Sequence, residues 1–331
     1  MSGHPEGRAS LESRRPVGSP ASRPTIGLLL ARIHEPYQAA VWPGVADVAE
    51  EEDANLLCFV GESLRSPYGF ESQANVLYDL VSTERLDGLV MMGGSLGNFI
   101  SLEELRRFFN RYSPLPVVSI ALAVEGVPTV LVDNEHGMRE ALAHLVQVHG
   151  YQRIAFIRGP AGHHEAEERF RAYTEVLAEH GMSVDRDLVV PGDFHFDSGR
   201  EGIRLLLDER KAEIEAVVVA GDTMALGALE ALQARGLRVP YDIAVVGFDD
   251  IEDARFSTPP LTTVRQPLYE QGREAAGLVL ALIRGESPPG QVILPTRLVV
   301  RQSCGCFSDA SQAVAGQEAA TGREGQTPSS V

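Results

Sequence analysis

The sequence predicts an α/β protein of two Rossmann-like lobes with parallel sheets, and three observations carry that expectation. The chain has 331 residues, more than one hydrophobic core usually serves. Short β-branched or Leu-rich runs alternate with amphipathic stretches at helical spacing, the pattern of strands covered on both faces by crossover helices. The alternation comes as two consecutive sets, so two sheets are expected rather than one.

The first set opens with TIGLLL at Thr25 to Leu30 and a helix from about Pro36 to Asp53. It continues through the run Asn55 to Val60, a helix near Phe70 to Ser82, Gly88 to Met92, a helix near Leu102 to Arg111, and Pro116 to Ile120. The second set follows the run Thr129 to Asp133. Its first helix carries Met138, Ala141, Leu142, Leu145 and Val146 on one stripe. Then come Arg153 to Ile157, a helix near Glu165 to His180, Leu188 to Val190, and a helix near Ser198 to Glu209. Ala216 to Ala220, a helix near Thr223 to Arg235, and Ile243 to Phe248 complete it. Residues 1–24 and 307–331 lack apolar bulk and read as disordered segments, the second as a tail or linker.

Composition narrows the function classes. The net charge is −17. Residues 1–24 hold four Arg against two Glu, which leaves 25 basic and 44 acidic residues in the rest. A body that acidic repels phosphate backbones, so direct nucleic-acid binding by this chain is not expected. The longest apolar runs fall far short of the ~20 residues a membrane span needs. The first 24 residues contain no apolar h-region of a secretory signal, which places the chain in the cytoplasm.

Motifs for catalysis and cofactors are sparse. GGSLG (Gly93 to Gly97) fits the nucleophile-elbow pattern, which would make Ser95 a nucleophile. An elbow needs its helix to begin at once, whereas Ser101 and Glu104 form a capping box that starts one later, so a glycine-rich turn is expected. No strand is followed by G-x-G-x-x-G, and the single lysine, Lys211, lies outside any Gly-rich loop. No cofactor and no enzymatic activity are expected. His163 and His164 beside Glu165 lack metal-site spacing. Cys304 and Cys306 form one C-x-C pair without a second cluster, and Cys58 sits in an apolar run. The three cysteines read as reduced structural thiols, and no metal site is expected.

Seven segments, in order, resemble the effector-binding core of the lactose-repressor and purine-repressor (LacI/GalR) family. They are Thr25 to Leu30, Val130 to Leu145, His149 to Pro160, Glu168 to Tyr173, Ala220 to Leu232, Val239 to Asp250 and Thr258 to Pro267. The resemblance implies a periplasmic-binding-protein-like fold of type I, whose chain passes between the lobes three times and makes a hinge. It implies an N-terminal lobe of residues 25–131 plus 267–291 and a C-terminal lobe of 132–266 plus 292–306. Relatives carry a helix-turn-helix headpiece before the first strand. Here 24 residues with Pro16, Pro20 and Pro24 stand there, so this chain is expected to act without one. The GFDD, SCGC and tail arrangement is also similar to sensor domains that feed signalling modules.

Further implications of the resemblance concern the site. Ligands of open α/β sheets bind beyond the carboxyl ends of the strands, where Tyr37 with Gln38 would form a side wall. Arg169 would offer a planar fork, Phe194 a stacking face, and Asp249 a carboxylate acceptor. His163, Glu165 and His195 fall where relatives place selective polar groups. Gly221 stands where many relatives have Asn, and Asp222 is expected to cap the next helix. The expected ligand is a small sugar- or nucleoside-like effector. A homodimer and a downstream signalling or DNA-binding partner complete the expectations.

Overall fold

The computed structural model describes residues 23–306. The first part of the chain runs β1 (Thr25–Leu30), α1 (Pro36–Glu51), β2 (Asn55–Val60), a 3-10 segment (Glu71–Leu80), β3 (Gly88–Met91) and α2 (Gly93–Leu96). Then follow α3 (Leu102–Asn110), β4 (Val117–Ile120) and β5 (Thr129–Val132). The second part runs α4 (Asn134–Gln147), β6 (Ile154–Ile157), α5 (His164–Glu179), β7 (Val189–Val190), α6 (Phe196–Ile203), β8 (Ala216–Val219) and α7 (Asp222–Gln233). β9 (Ala244–Asp249), α8 (Glu252–Phe256), β10 (Thr262–Arg265), α9 (Leu268–Ile283), β11 (Gln291–Leu294) and β12 (Arg297–Val299) complete it. Among the described residues no helix is long and apolar enough to cross a membrane.

Two six-stranded sheets result, ordered β2-β1-β3-β4-β5-β11 and β7-β6-β8-β9-β10-β12. Each repeats the doubly wound 2-1-3-4-5 order, which leaves a crevice where the winding reverses. Ile26, Leu28 and Leu30 of β1 pack with α1 and α9 on one face of the first sheet. Leu29, with Leu89 and Met91 of β3, packs with Phe108 and Phe109 of α3 on the other. One contiguous cluster centred on β6, β8 and β9 fills the second lobe.

Chain connections between the lobes lie at Asp133, Gln266–Pro267 and residues 295–296, and hydrogen bonds tie two of them together. The Asp133 amide donates to Leu294 O at 2.9 Å, and Thr296 Oγ1 donates to Asp133 O at 2.7 Å. Asp133 also caps α4 by accepting the His136 amide at 2.9 Å.

Several expectations are corrected. β11 pairs in parallel with β5, so residues 292–294 belong to the first sheet and not to the C-terminal lobe. β12 runs antiparallel to β10, so the second sheet is mixed. The helix expected near Phe70 to Ser82 is 3-10 because tertiary bonds hold it. Asn75 Oδ1 accepts the Glu62 amide at 2.8 Å, and Tyr78 Oη donates to Leu30 O at 3.0 Å. Cys58 is exposed, because β2 is an edge strand with one face uncovered. In GGSLG, α2 begins at Gly93 immediately after β3, which removes the spacing argument made against an elbow. Ser95 itself receives the Ser63 hydroxyl on its carbonyl at 2.7 Å.

Candidate ligand-binding site between the lobes

The carboxyl ends of both sheets face each other across a cavity of about 810 Å³, within the size range of small-molecule sites. The nine residues named from the sequence all lie along it: Tyr37, Gln38, His163, Glu165, Arg169, Phe194, His195, Gly221 and Asp249.

At its floor is a buried charge network. Arg169, on α5, is 2 % exposed. Its Nε donates to Asn134 Oδ1 at 2.8 Å, one terminal nitrogen to Ala220 O at 2.7 Å, and the other to Glu165 Oε2 at 3.4 Å. The guanidinium lies over the Phe248 ring at 3.8 Å from its centroid. The ion pair with Glu165 is therefore buried, and three of five N–H donors are committed to the protein itself. Asp249 ends β9 with its φ at +128°, a strained value for a residue with a side chain. Its Oδ2 accepts the Asp222 amide at 3.2 Å, its Oδ1 the Gln266 amide at 2.6 Å, and Arg169 stands 3.8 Å away. Burial pushes both the Asp249 and Glu165 carboxyls above the usual range, against the pull of Arg169.

Asp222 is not a helix cap, since α7 is preceded by Gly221 with no side-chain cap. Its carboxyl accepts the Ile251 amide at 3.1 Å and the Thr263 hydroxyl at 2.6 Å, bracing two strand ends. Burial lifts it to about 7. The absence of a side chain at Gly221 is also accounted for. A Cβ there would stand 3.2 Å from the Phe194 ring and 3.5 Å from Asp249 Oδ2, so glycine lets the aromatic face sit against the carboxylate. Phe194 has φ +68° and meets His163 edge-on at 5.3 Å.

The opposite wall comes from the first lobe. Gln38 Oε1 accepts the Ala31 amide at 2.9 Å, fixing the end of β1. Tyr37 Oη donates to Gln271 Oε1 at 3.3 Å, and Gln271 Nε2 donates to Gln266 Oε1 at 3.1 Å. With the bond from Gln266 to Asp249, this forms a continuous chain from the first lobe through a connection to the second. Enclosure pushes the Tyr37 phenol well up, with Glu165 and Asp249 adding to the effect.

Other residues complete the site that sequence reasoning missed. Arg32 pairs with Glu62 at 2.8 Å and reaches His195 Nε2 across the cleft. Tyr68 donates to Asp193 across the same gap, and its ring lies 4.9 Å from that of His195. Phe99 stacks with His195 at 5.9 Å and meets Tyr68 edge-on at 5.9 Å, so the three rings form one cluster. Burial lowers the His195 imidazole, but the Asp193 carboxylate outweighs this and raises it overall. Three buried polar atoms of cleft residues, Glu62 Oε2, Asn98 Oδ1 and His163 Nδ1, have no hydrogen-bond partner, and of these only Glu62 is held by an ion pair, with Arg32. Burial, and then Arg169, depresses the His163 imidazole to about 4, so it is neutral near pH 7. Asn98 follows β3 as Phe194 follows β7, so the strand-end rule would have found it.

The cleft thus holds acceptors in excess of free donors, with aromatic faces at its mouth and floor. Two hinged lobes around such a cleft define a small-molecule binding protein of the periplasmic-binding type. Comparison with known proteins agrees. The model of the periplasmic binding protein-like domain matches residues 142–304. The transcriptional regulator CelR of Thermobifida fusca is 34 % identical over 81 % of this chain and 76 % of its own length. The transcriptional repressor CytR of Escherichia coli K12 is 32 % identical over 84 % of this chain and 79 % of its own. Among solved structures, a complex of the regulator CelR with cellobiose superposes with a TM-score of 0.72 at 35 % identity, covering 85 % of each chain. A lac repressor dimer bound to operator and the anti-inducer ONPF gives 0.72 at 26 % identity, over 86 % of this chain and 82 % of that one. The chain belongs to the LacI family of transcriptional regulators, and its relatives are regulators rather than enzymes.

Proposed function

We propose that this chain is a cytoplasmic sensing core that binds a neutral, polyhydroxylated ring, a sugar or a nucleoside-like molecule, between its lobes. The observation that carries the reading is the set of acceptors facing one cavity. Ionised, Asp249 and Glu165 are acceptors and never donors, and Asn98 Oδ1 and the neutral His163 Nδ1 are buried without donors. Leaving such atoms unpaired costs ~1–3 kcal/mol each, so a ligand rich in hydroxyl donors is favoured. Phe194 and the aromatic group around His195 suit the apolar face of a sugar ring or the plane of a base. The CelR–cellobiose complex supports the sugar class.

Nine residues are assigned to that ligand: Tyr37, Gln38, His163, Glu165, Arg169, Phe194, His195, Gly221 and Asp249. Asn98 joins them. Because the ligand touches both walls, it favours the closed arrangement, and only that difference in affinity between states drives a signal. The signal passes to transcription through a DNA-binding headpiece or a partner, since the net charge of −17 on the chain disfavours direct contact with phosphate backbones.

A homodimer formed through the first lobe fits an exposed apolar strip. Phe70 is 81 % exposed, Leu80 67 %, Val76 63 % and Leu57 of the edge strand 46 %. Light scattering is expected to give twice the 35.8 kDa chain mass; the mass of one chain at micromolar concentration would refute the dimer. The binding claim is tested by a thermal-melting panel of sugars, nucleosides and small acids on wild type, Asp249→Ala and Asn98→Ala. A ligand at 100 times its dissociation constant adds about 2.7 kcal/mol. Stabilisation by a sugar or nucleoside that both variants lose is the expected result, and stabilisation only by acids would overturn it.

A further inference from the structure

At the end of the second lobe remote from the cleft, four donor atoms converge that the sequence places in two distant pairs. His144 lies in the last turn of α4, and His149 follows that helix two residues after its end. Cys304 and Cys306 come from the segment after β12. The ring nitrogens and the two sulfurs all lie within 4.8 Å of one another. His144 Nε2 stands 3.2 Å from His149 Nε2, 3.5 Å from Cys304 Sγ and 3.5 Å from Cys306 Sγ, and Cys306 Sγ stands 3.4 Å from His149 Nε2.

One imidazole nitrogen carries a single proton or a single lone pair, so it cannot hydrogen-bond to three neighbours at once. Four such donor atoms clustered within 4.8 Å are instead the arrangement that a shared cation would hold together. Around a tetrahedral zinc ion, bond lengths of about 2.0–2.1 Å to nitrogen and 2.3 Å to sulfur put ligand atoms roughly 3.3 Å apart for N and N and 3.6 Å for N and S. Four of the six spacings, at 3.2, 3.5, 3.5 and 3.4 Å, match these, and the other two lie within 4.8 Å.

The scaffold fixes the donors in place. Ser303, beside Cys304, donates to Val245 O at 2.6 Å and accepts the Thr262 amide at 2.7 Å, which locks the segment onto β9 and β10. Gly305 has φ +108°, and this turn brings both thiols to one side. A Cβ there would stand 3.2 Å from the His149 ring. The His149 ring stacks on Tyr151 at 5.4 Å and 14°, and Tyr151 Oη donates to Cys304 O at 3.3 Å.

We propose that His144, His149, Cys304 and Cys306 form a structural zinc site. Two thiolates and two neutral imidazoles leave a divalent ion uncharged overall, and the S2N2 tetrahedral set suits zinc over harder cations. With all four positions filled by protein, no site is left for substrate. The metal therefore clamps the returning C-terminal segment to the end of α4, closing a loop of more than 150 residues.

The test is metal analysis of the full chain purified under reducing conditions, with cobalt exchanged in as a spectroscopic probe. The expected result is about one zinc per chain, and for cobalt the intense visible bands of a tetrahedral thiolate complex. Cys306→Ser and His149→Gln are expected to lower zinc content about tenfold or more, while Cys58→Ser, which changes an exposed thiol in the other lobe, retains it. Circular dichroism checks that the variants fold. If they do not, the wild-type cobalt spectrum decides alone. Wild type that takes up neither metal after reconstitution, a Cys304–Cys306 disulfide found under those conditions, or full zinc retention by folded Cys306→Ser would each overturn the assignment.

Discussion

Arg169 holds the floor of the cleft as much as it faces it. Its bonds to Asn134, Ala220 and Glu165 fix three elements together, so removing the charge leaves buried carboxylates uncompensated. Arg169→Met is expected to destabilise the fold by about 3–5 kcal/mol in chemical denaturation; a loss below ~1 kcal/mol would contradict the strut role. His163 makes a pH prediction. The unfolded imidazole titrates near 6.5 and the folded one near 4. Between those values the unfolded state binds the extra proton, so this residue lowers stability as pH falls from about 6.5 to about 4 and contributes no slope above. His163→Gln is expected to remove about 2 kcal/mol of that acid loss, read from denaturation curves at pH 7 and pH 4.5. Asp222, lifted to about 7, slopes the opposite way, so the difference between variant and wild type is the informative quantity. At this scale the gathering of the nine residues along one cavity was legible, because strand ends mark the crevice of such sheets. What was not legible was how much of each side chain the protein itself consumes. Arg169 and Gln38 spend donors or acceptors on backbone partners, which no residue pattern displays.

Elements read from periodicity are those whose burial is regular. The stripe of α4 and the apolar runs of β1, β6, β8 and β9 lie where alternation placed them. β11 and β12 did not, because each pairs with a strand more than 30 residues away, and a connection of two residues decides which sheet receives each. His144 with His149, and Cys304 with Cys306, were hidden for the same reason. Either pair alone is short of a metal site, and only the return of the chain through β12 joins them. The capping of α4 at a lobe connection gives an element-scale prediction. Asp133→Ala is expected to cost about 1 kcal/mol, measured by urea unfolding, because the His136 amide loses its acceptor. An unchanged midpoint would show that water replaces the cap.

For the whole molecule, the two lobes touch at the cleft mouth through Arg32 with His195 and Tyr68 with Asp193. The chain from Tyr37 through Gln271 and Gln266 to Asp249 passes beneath the ligand cavity. In the proposed function, a ligand bound to Asp249 would act on the same group that links the lobes, the route by which occupancy would favour closure. The repeated doubly wound order supplied the crevice, and the acidic, acceptor-rich lining narrows what fits. In the proposed function, Asp249 is the acceptor at the centre of that cleft. Calorimetric titration of wild type and Asp249→Asn with the sugar or nucleoside that raises the melting temperature tests this most directly. One site per chain, weakened about tenfold or more when the carboxylate becomes an amide, is the predicted result. Equal affinity in both proteins would contradict it.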